Sequence, residues 1–299
     1  MSWRSLFISN PAILKVSKNQ LVIQQGAESI PIPLEDISVI VIETSQATIT
    51  TALMSRLADD KIAVFFCDEK HIPNSVVIPF QSHSRQNKIL NTQISLSKPF
   101  INRCWQMIIK QKITNQSECL RLLKRVGYNQ LCQIATQVQS GDKTNREAYA
   151  AKLYFNCLFE NFTRHGDDTT NAALNFGYAI LRGAIARTLT AYGFIPALGI
   201  HHCSELNNFN LADDFIEAYR PFVDLWVVEN IDEGTEFSRS IRSNLLNILN
   251  YDCLFDGKKQ KILRSIDMMI SSFVSACNNM NFESLKLPEL IPLELHSYE

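Results

Sequence analysis

The spacing of apolar residues changes once along this chain, near residue 80, and no other feature limits its fold as strongly. Before that point, short β-branched runs alternate with turn residues. Ile13–Val16 and Leu21–Ile23 flank Ser17-Lys18-Asn19-Gln20 and predict a hairpin. Ile30-Pro31-Ile32-Pro33 predicts an edge segment, because proline cannot donate to a β-ladder. Ile37–Glu43, Ile62–Phe66 and Val76–Pro79 predict further strands. Thr50–Ala58 predicts one short helix, capped near Thr48 or Thr50.

After residue 80 the period becomes helical. Phe100, Cys104, Met107 and Ile108 fall on one stripe of a helix starting just after Pro99, with Arg103 and Lys110 beside it. Gly127 and Gly141 break the pattern. Gly141–Asn145 is a helix start rich in capping side chains, and a helix follows from Glu147 to about Phe162. Further helices are expected over about 170–191, 209–219 (stopping before Pro221), 225–229 and 258–276. Pro288 and Pro292 make the tail extended. The expected class is α+β, with a β-rich domain over 1–80 and a helical domain over 81–299.

The net charge of −1 hides an uneven distribution. Residues 81–150 hold eleven Lys and Arg against three acids, a net +8, which leaves −9 for the remainder. A basic stretch in a chain that also gathers carboxylates suits a protein that attracts nucleic acid and holds a metal; solvated helix faces are the alternative. The eight cysteines show no C-x-x-C spacing, so zinc ribbons and thioredoxin-like motifs are excluded, and buried thiols in a reducing cytosol are expected. The first residues do not read as a signal peptide, and no apolar run is long enough to span a membrane. Walker, Rossmann, nucleophile-elbow and H-E-x-x-H patterns are absent.

Three distant stretches carry metal-ligand side chains. Glu147 lies near a helix start among Ala148, Ala150 and Ala151, small neighbours that let another element approach. His201 and His202 are adjacent, so they point in different directions, one free to fill the core while the other ligates. Asp214 and Glu217 lie three residues apart on one helix face, and Asp213, four before Glu217, competes with Asp214. Each residue alone has an ordinary structural explanation; the set can converge on one divalent cation and act on a phosphodiester.

These stretches, with Asn171–Arg182, Pro196–Asp224, Ser2–Leu6, Pro33–Ile37 and Leu285–Glu289, resemble CRISPR-associated protein one, the spacer integrase of bacterial adaptive immunity, in the form found in type II systems. The resemblance runs nearly end to end. It implies a homodimer built through the β-rich domains and a helical domain that binds double-stranded DNA and catalyses. It implies Glu147, His202 and Glu217 as catalytic metal ligands, with Asp214 as a further acid and Mg²⁺ or Mn²⁺ as the ion. Asn175, Tyr178 and Arg220 would support the site. Lys143 and Arg146, with Arg103, Lys110 and Lys112 of the basic segment, would contact DNA. The implied partners are a small ferredoxin-like CRISPR-associated adaptation protein, the type II effector nuclease and a further accessory protein. The reaction would be attack of a 3′-OH of a short duplex on a phosphodiester at a repeat. A non-catalytic DNA-binding scaffold and a metal-dependent phosphodiesterase on other substrates are the competing classes.

Overall fold

The computed structural model describes residues 4–77, 85–159, 162–164, 166, 168–232 and 234–296. In chain order the N-terminal part contains β1 (Arg4–Ile8), β2 (Ala12–Ser17), β3 (Gln20–Gln25), β4 (Glu28–Pro33), β5 (Ile37–Ile42), β6 (Ala47–Ile49), α1 (Thr51–Asp59), β7 (Ala63–Cys67) and β8 (Pro73–Val76). The remainder contains α2 (Gln86–Ile94), α3 (Lys98–Leu122), α4 (Tyr128–Thr136), α5 (Arg146–Leu158), α6 (Thr169–Ala191), α7 (Asn210–Ile216), α8 (Arg220–Asn230), α9 (Arg239–Leu246), β9 (Asp252–Phe255), β10 (Lys258–Lys261) and α10 (Ile262–Asn279).

One sheet has the order β4-β3-β2-β6, and its β2–β3 hairpin pairs Val16 with Leu21. The other has the order β1-β5-β7-β8, parallel except for its last pair. This second sheet is the middle layer of the molecule. Side chains alternate across a strand, so the buried run of β5 feeds two cores. Ile40 and Ile42 join Val64, Leu14, Leu21, Leu53 and Leu57 in a β-side core. Val39 and Val41 join Ala63 and Phe65 in the much larger helical core. Burial on both faces explains why β5 is apolar almost throughout.

The join between sheet and helices is tight at Gly183 of α6, where a Cβ would collide with the Phe65 ring. Gly183→Ala would raise the propensity of an isolated helix by about 1 kcal/mol. Here it is expected instead to destabilise by about 1–3 kcal/mol through overpacking, read as a lower midpoint in urea unfolding.

The structure departs from sequence expectation in several places. The helical part is not purely α: β9 and β10 form an antiparallel hairpin, and the tail bridges to it at Leu254–Glu289 and Tyr251–Leu295. Residues 258–261, expected as helix, are the second strand of that hairpin. Pro221 occupies the first turn of α8, where its missing N–H costs nothing, so the expected helix stop is also a helix start. Helix α5 ends at Leu158, and Phe159 and Phe162 beyond it pack against Phe155 of its last turn. Helices α2, α4 and α9 were not anticipated. Ile78 and Pro79 of the expected strand, Ser2 and Trp3 of the opening motif, and the last three residues of the tail lie outside the described residues.

All eight cysteines are free; Cys104, Cys119, Cys253 and Cys277 are buried. Burial pushes the Cys104 and Cys253 thiols up to about 12. Among the described residues no helix is long and apolar enough to cross a membrane.

Candidate metal centre

Four elements bring the site together. Helix α3 is its spine, with a buried face running Phe100, Cys104, Ile108 and on to Lys112. Lys112 is 8% exposed, and such burial of an ammonium requires anionic partners. Its Nζ lies 2.7 Å from Glu147 Oε1 and 2.5 Å from Glu217 Oε2. Glu147 stands in the first turn of α5. That turn is fixed by Asp142, whose carboxylate accepts the N–H groups of Arg146 and Glu147 at 2.9 and 3.0 Å. The capping group is therefore Asp142, inside the expected helix-start segment. Asn145, at the cap position, holds a left-handed conformation and donates no capping side chain.

Glu217 lies directly after α7 and three residues before Arg220, the first residue of α8. Arg220 Nε donates to Glu217 Oε1 at 2.8 Å. Burial alone would push the Glu217 carboxyl up; Arg220 and Lys112 outweigh it and hold it at about 2. For Lys112 the opposition is mirrored. Burial disfavours its charge, and Glu217 with Glu147 holds its pKa above the ordinary lysine value.

The histidine pair separates as the chain direction requires. His201 stacks flat on Trp105, ring centres 4.0 Å apart, and burial lowers its pKa. His202 meets Trp105 edge-on and turns Nδ1 to Asp214 Oδ1 at 2.8 Å. That hydrogen bond raises the His202 pKa. With Nδ1 engaged, Nε2 is the nitrogen left to ligate.

Asp214 is fully buried, and its oxygens are committed. Oδ2 accepts the N–H of Ile200 at 2.6 Å and of His201 at 3.2 Å; Oδ1 accepts the N–H of His202 at 3.0 Å. Asp214, expected as a further acid of the site, clasps the histidine loop and orients the imidazole. Gly199 is required there, because a Cβ would collide with the His202 carbonyl and lie 2.8 Å from Asp214 Oδ2. The competing acid, Asp213, accepts from Asn207 at 2.7 Å and approaches Arg182 at 3.9 Å.

Tyr178 is buried and supports the site at one remove. The Arg164 and Arg220 guanidinium groups lie over its ring, at 5.5 and 4.5 Å. Its hydroxyl donates to Asp224, as does that of Tyr154 at 3.0 Å. Asn175 is exposed and accepts from Arg164 at 2.7 Å, so it reaches the centre only through that arginine and Tyr178. Trp105, Tyr154, Arg164 and Asp224 were missed from sequence, and Lys112 was assigned to DNA. Its available signal was position: Lys112 continues the apolar stripe one turn after Ile108, where a cation needs a buried partner. Burial between two carboxylates corrects Lys112 as a DNA contact. Lys143, Arg103 and Lys110 are exposed; Arg103 lies over Phe282, and Arg146 Nε is buried without a hydrogen-bond partner.

Burial raises the Asp224 carboxyl from 3.8 to about 6, with the two tyrosine hydroxyls opposing. Between those values the folded state holds a proton that the unfolded state has lost. Stability from this group is therefore full below pH 3.8 and lost as pH rises through 6. Relative to Asp224→Asn, the wild type is expected to weaken by about 3 kcal/mol between pH 4 and pH 7, measured by urea unfolding of both proteins across that range.

Among the described residues no three His, Cys, Asp or Glu side chains close into one ligand cluster; two carboxylates meet on an ammonium instead. Two carboxylates and an imidazole nevertheless match the donors of a hard or borderline divalent cation, and the ammonium marks where positive charge is bound. Fold and centre together define a two-part α+β protein whose helical core encloses a carboxylate–lysine–carboxylate site flanked by an aspartate-oriented histidine. Residues 6–247 match the family model for CRISPR associated protein Cas1. The chain is 44% identical, over the full length of both proteins, to a CRISPR-associated endonuclease Cas1 of Neisseria meningitidis. It is 29% identical to one of Saccharolobus solfataricus, over 82% of this chain and 80% of the relative. In structure it resembles a casposase bound to an integration product (TM-score 0.75, 18% identity, 94% of this chain and 91% of that one). It also resembles a Cas1 protein from Thermotoga maritima (TM-score 0.72, 14% identity, 99% and 100%). The chain belongs to the Cas1 family.

Proposed function

We propose that this chain is a metal-dependent integrase and endonuclease of CRISPR spacer acquisition, joining the 3′-OH ends of short duplex DNA to phosphodiesters at the edge of a repeat. The observation that carries the reading is the meeting of Glu147 and Glu217 on a single cation in a member of this family. Glu147, His202 and Glu217 would hold Mg²⁺ or Mn²⁺. The bound ion supplies an acidified attacking hydroxyl and stabilisation of charge on the phosphate. The chain's own residues do the positioning. Asp214 fixes the His202 tautomer and Arg220 fixes Glu217. Lys143, Arg146, Arg103 and Lys110 would hold the DNA backbone, giving salt-sensitive binding with little sequence preference. One phosphodiester breaks and one forms, so no nucleotide energy source is needed.

A homodimer through the β-rich part and a small ferredoxin-like adaptation protein complete the proposed assembly. A type II effector nuclease and an accessory protein would help to select the DNA. The small partner is supported by structural similarity to part of a chain of a Cas6-RT-Cas1–Cas2 complex (TM-score 0.74, 19% identity, 96% of this chain and 36% of that one). A non-catalytic DNA-binding scaffold is the second reading, favoured by one observation: a lysine already neutralises the carboxylates. Strand transfer decides between them. Purified protein, with and without the small partner, would meet a 3′-OH duplex and a repeat-bearing plasmid in Mn²⁺, Mg²⁺ or EDTA. Joining at the repeat edge that EDTA abolishes supports the integrase. No joining in either metal, with salt-sensitive DNA binding intact, supports the scaffold.

A further inference from the structure

Lys112 is one atom's reach from both carboxylates that the proposed function assigns to the metal. Its Nζ contacts Glu147 Oε1 at 2.7 Å and Glu217 Oε2 at 2.5 Å. The second Glu217 oxygen is held by Arg220. Glu147 and Glu217 thus face two bases, Lys112 and Arg220. Both carboxylates are drawn to one point by a cation that belongs to the chain. A divalent ion bound between the same oxygens would lie within a few ångströms of the ammonium, where like charges in a poorly screened site repel strongly. The two cations therefore compete for the same oxygens. Lysine suits a group that must leave, since its charge sits on a flexible four-carbon stem and not on a planar fork. The Glu147 side of the site is also the more open, with that side chain 25% exposed against 6% for Glu217.

We infer that Lys112 is a built-in competitor for the divalent cation. Its ammonium gathers Glu147 and Glu217 when no metal is bound and is displaced when one binds. Metal affinity is therefore set by an exchange of cations, not by filling an open site. The lysine acts on the reaction through the carboxylates and is a positioning residue. The inference rests on the reading that Glu147, His202 and Glu217 hold the metal.

Mn²⁺ binding by the full chain, followed by electron paramagnetic resonance of the free ion, tests it without any activity readout. Lys112→Met removes the competing charge and is expected to bind Mn²⁺ about tenfold tighter, the size of effect that changing one group beside a metal site produces. Its metal-free melting temperature should fall, and its rise on adding Mn²⁺ should exceed that of the wild type. Lys112→Arg keeps the charge and should bind no tighter than wild type. Should Lys112→Met not fold without metal, Lys112→Gln can still donate to one carboxylate and is expected to show the same tightening. Unchanged or weaker Mn²⁺ affinity in the uncharged variants, while the wild type binds Mn²⁺ and Glu217→Gln does not, would overturn the competition and leave the metal site standing. Failure of every variant and of the wild type to bind Mn²⁺ would overturn both.

Discussion

On the proposed reading of Glu217 as a metal ligand, Glu217→Gln is expected to lower strand transfer about 10³-fold, the several kcal/mol that a metal centre contributes to a phosphoryl transition state. The side chain keeps its shape and loses only its charge. The loss falls on stability as well, because Lys112 and Arg220 are both paired to this carboxylate in a buried site. Removing one partner of a buried ion pair costs about 3–5 kcal/mol. His202→Ala should separate the two effects. Its imidazole is 40% exposed, and Asp214 would still accept three backbone N–H groups. Strand transfer should therefore fall by a similar factor while the unfolding midpoint moves by less than about 1 kcal/mol. Salt-dependent DNA binding should survive in both variants. A Glu217→Gln protein that joins DNA at more than a tenth of the wild-type rate would remove this carboxylate from the chemistry.

The second large effect is structural and lies far from the centre. Glu43 directly follows β5, and Arg242 lies on α9; the two form a buried pair between the sheet and the helical part. Arg242 also donates to the Phe237 carbonyl at 2.5 Å and lies over the Phe237 ring. His71 approaches the same Glu43 oxygen at 3.4 Å. Arg242→Met would leave a buried carboxylate with only an exposed histidine beside it, and a loss of about 3–5 kcal/mol in urea unfolding is expected. Adding Glu43→Gln should recover much of that loss, because the uncompensated charge is then gone. A single variant within about 1 kcal/mol of wild type would show that this pair does not join the two layers.

The positions that failed or succeeded from sequence divide along physical lines. The β2–β3 hairpin and the start of α1 were readable because local chemistry decides them, and α3 and α6 begin one or two residues before their expected starts. Thr50, Ser97 and Asp168 each accept a backbone N–H at a helix start. Strand β5 was readable as a strand, and its run of apolar residues also implied burial. That it serves two cores at once was not, since alternation names two faces without naming what covers them. Residues 258–261 read as the beginning of a helix because they run directly into the apolar period of α10 and carry no alternation of their own. Their pairing comes from Asp252–Phe255 and from the tail folding back on the same strand.

The candidate site divides in the same way. The change of apolar period marked the α+β class, and the resemblance carried by the motif stretches pointed to the family and to Glu147, His202 and Glu217 as candidate donors. Only the tertiary structure decided what each donor faces. It set Asp214 under the histidine loop, laid His201 on Trp105, and placed Lys112, expected at the DNA, as a buried cation between two acids. The reason is that a charge's role depends on burial and on the charges within a few ångströms. For Lys112 those come from α5 and from the turn between α7 and α8, which lie 35 and 105 residues along the chain.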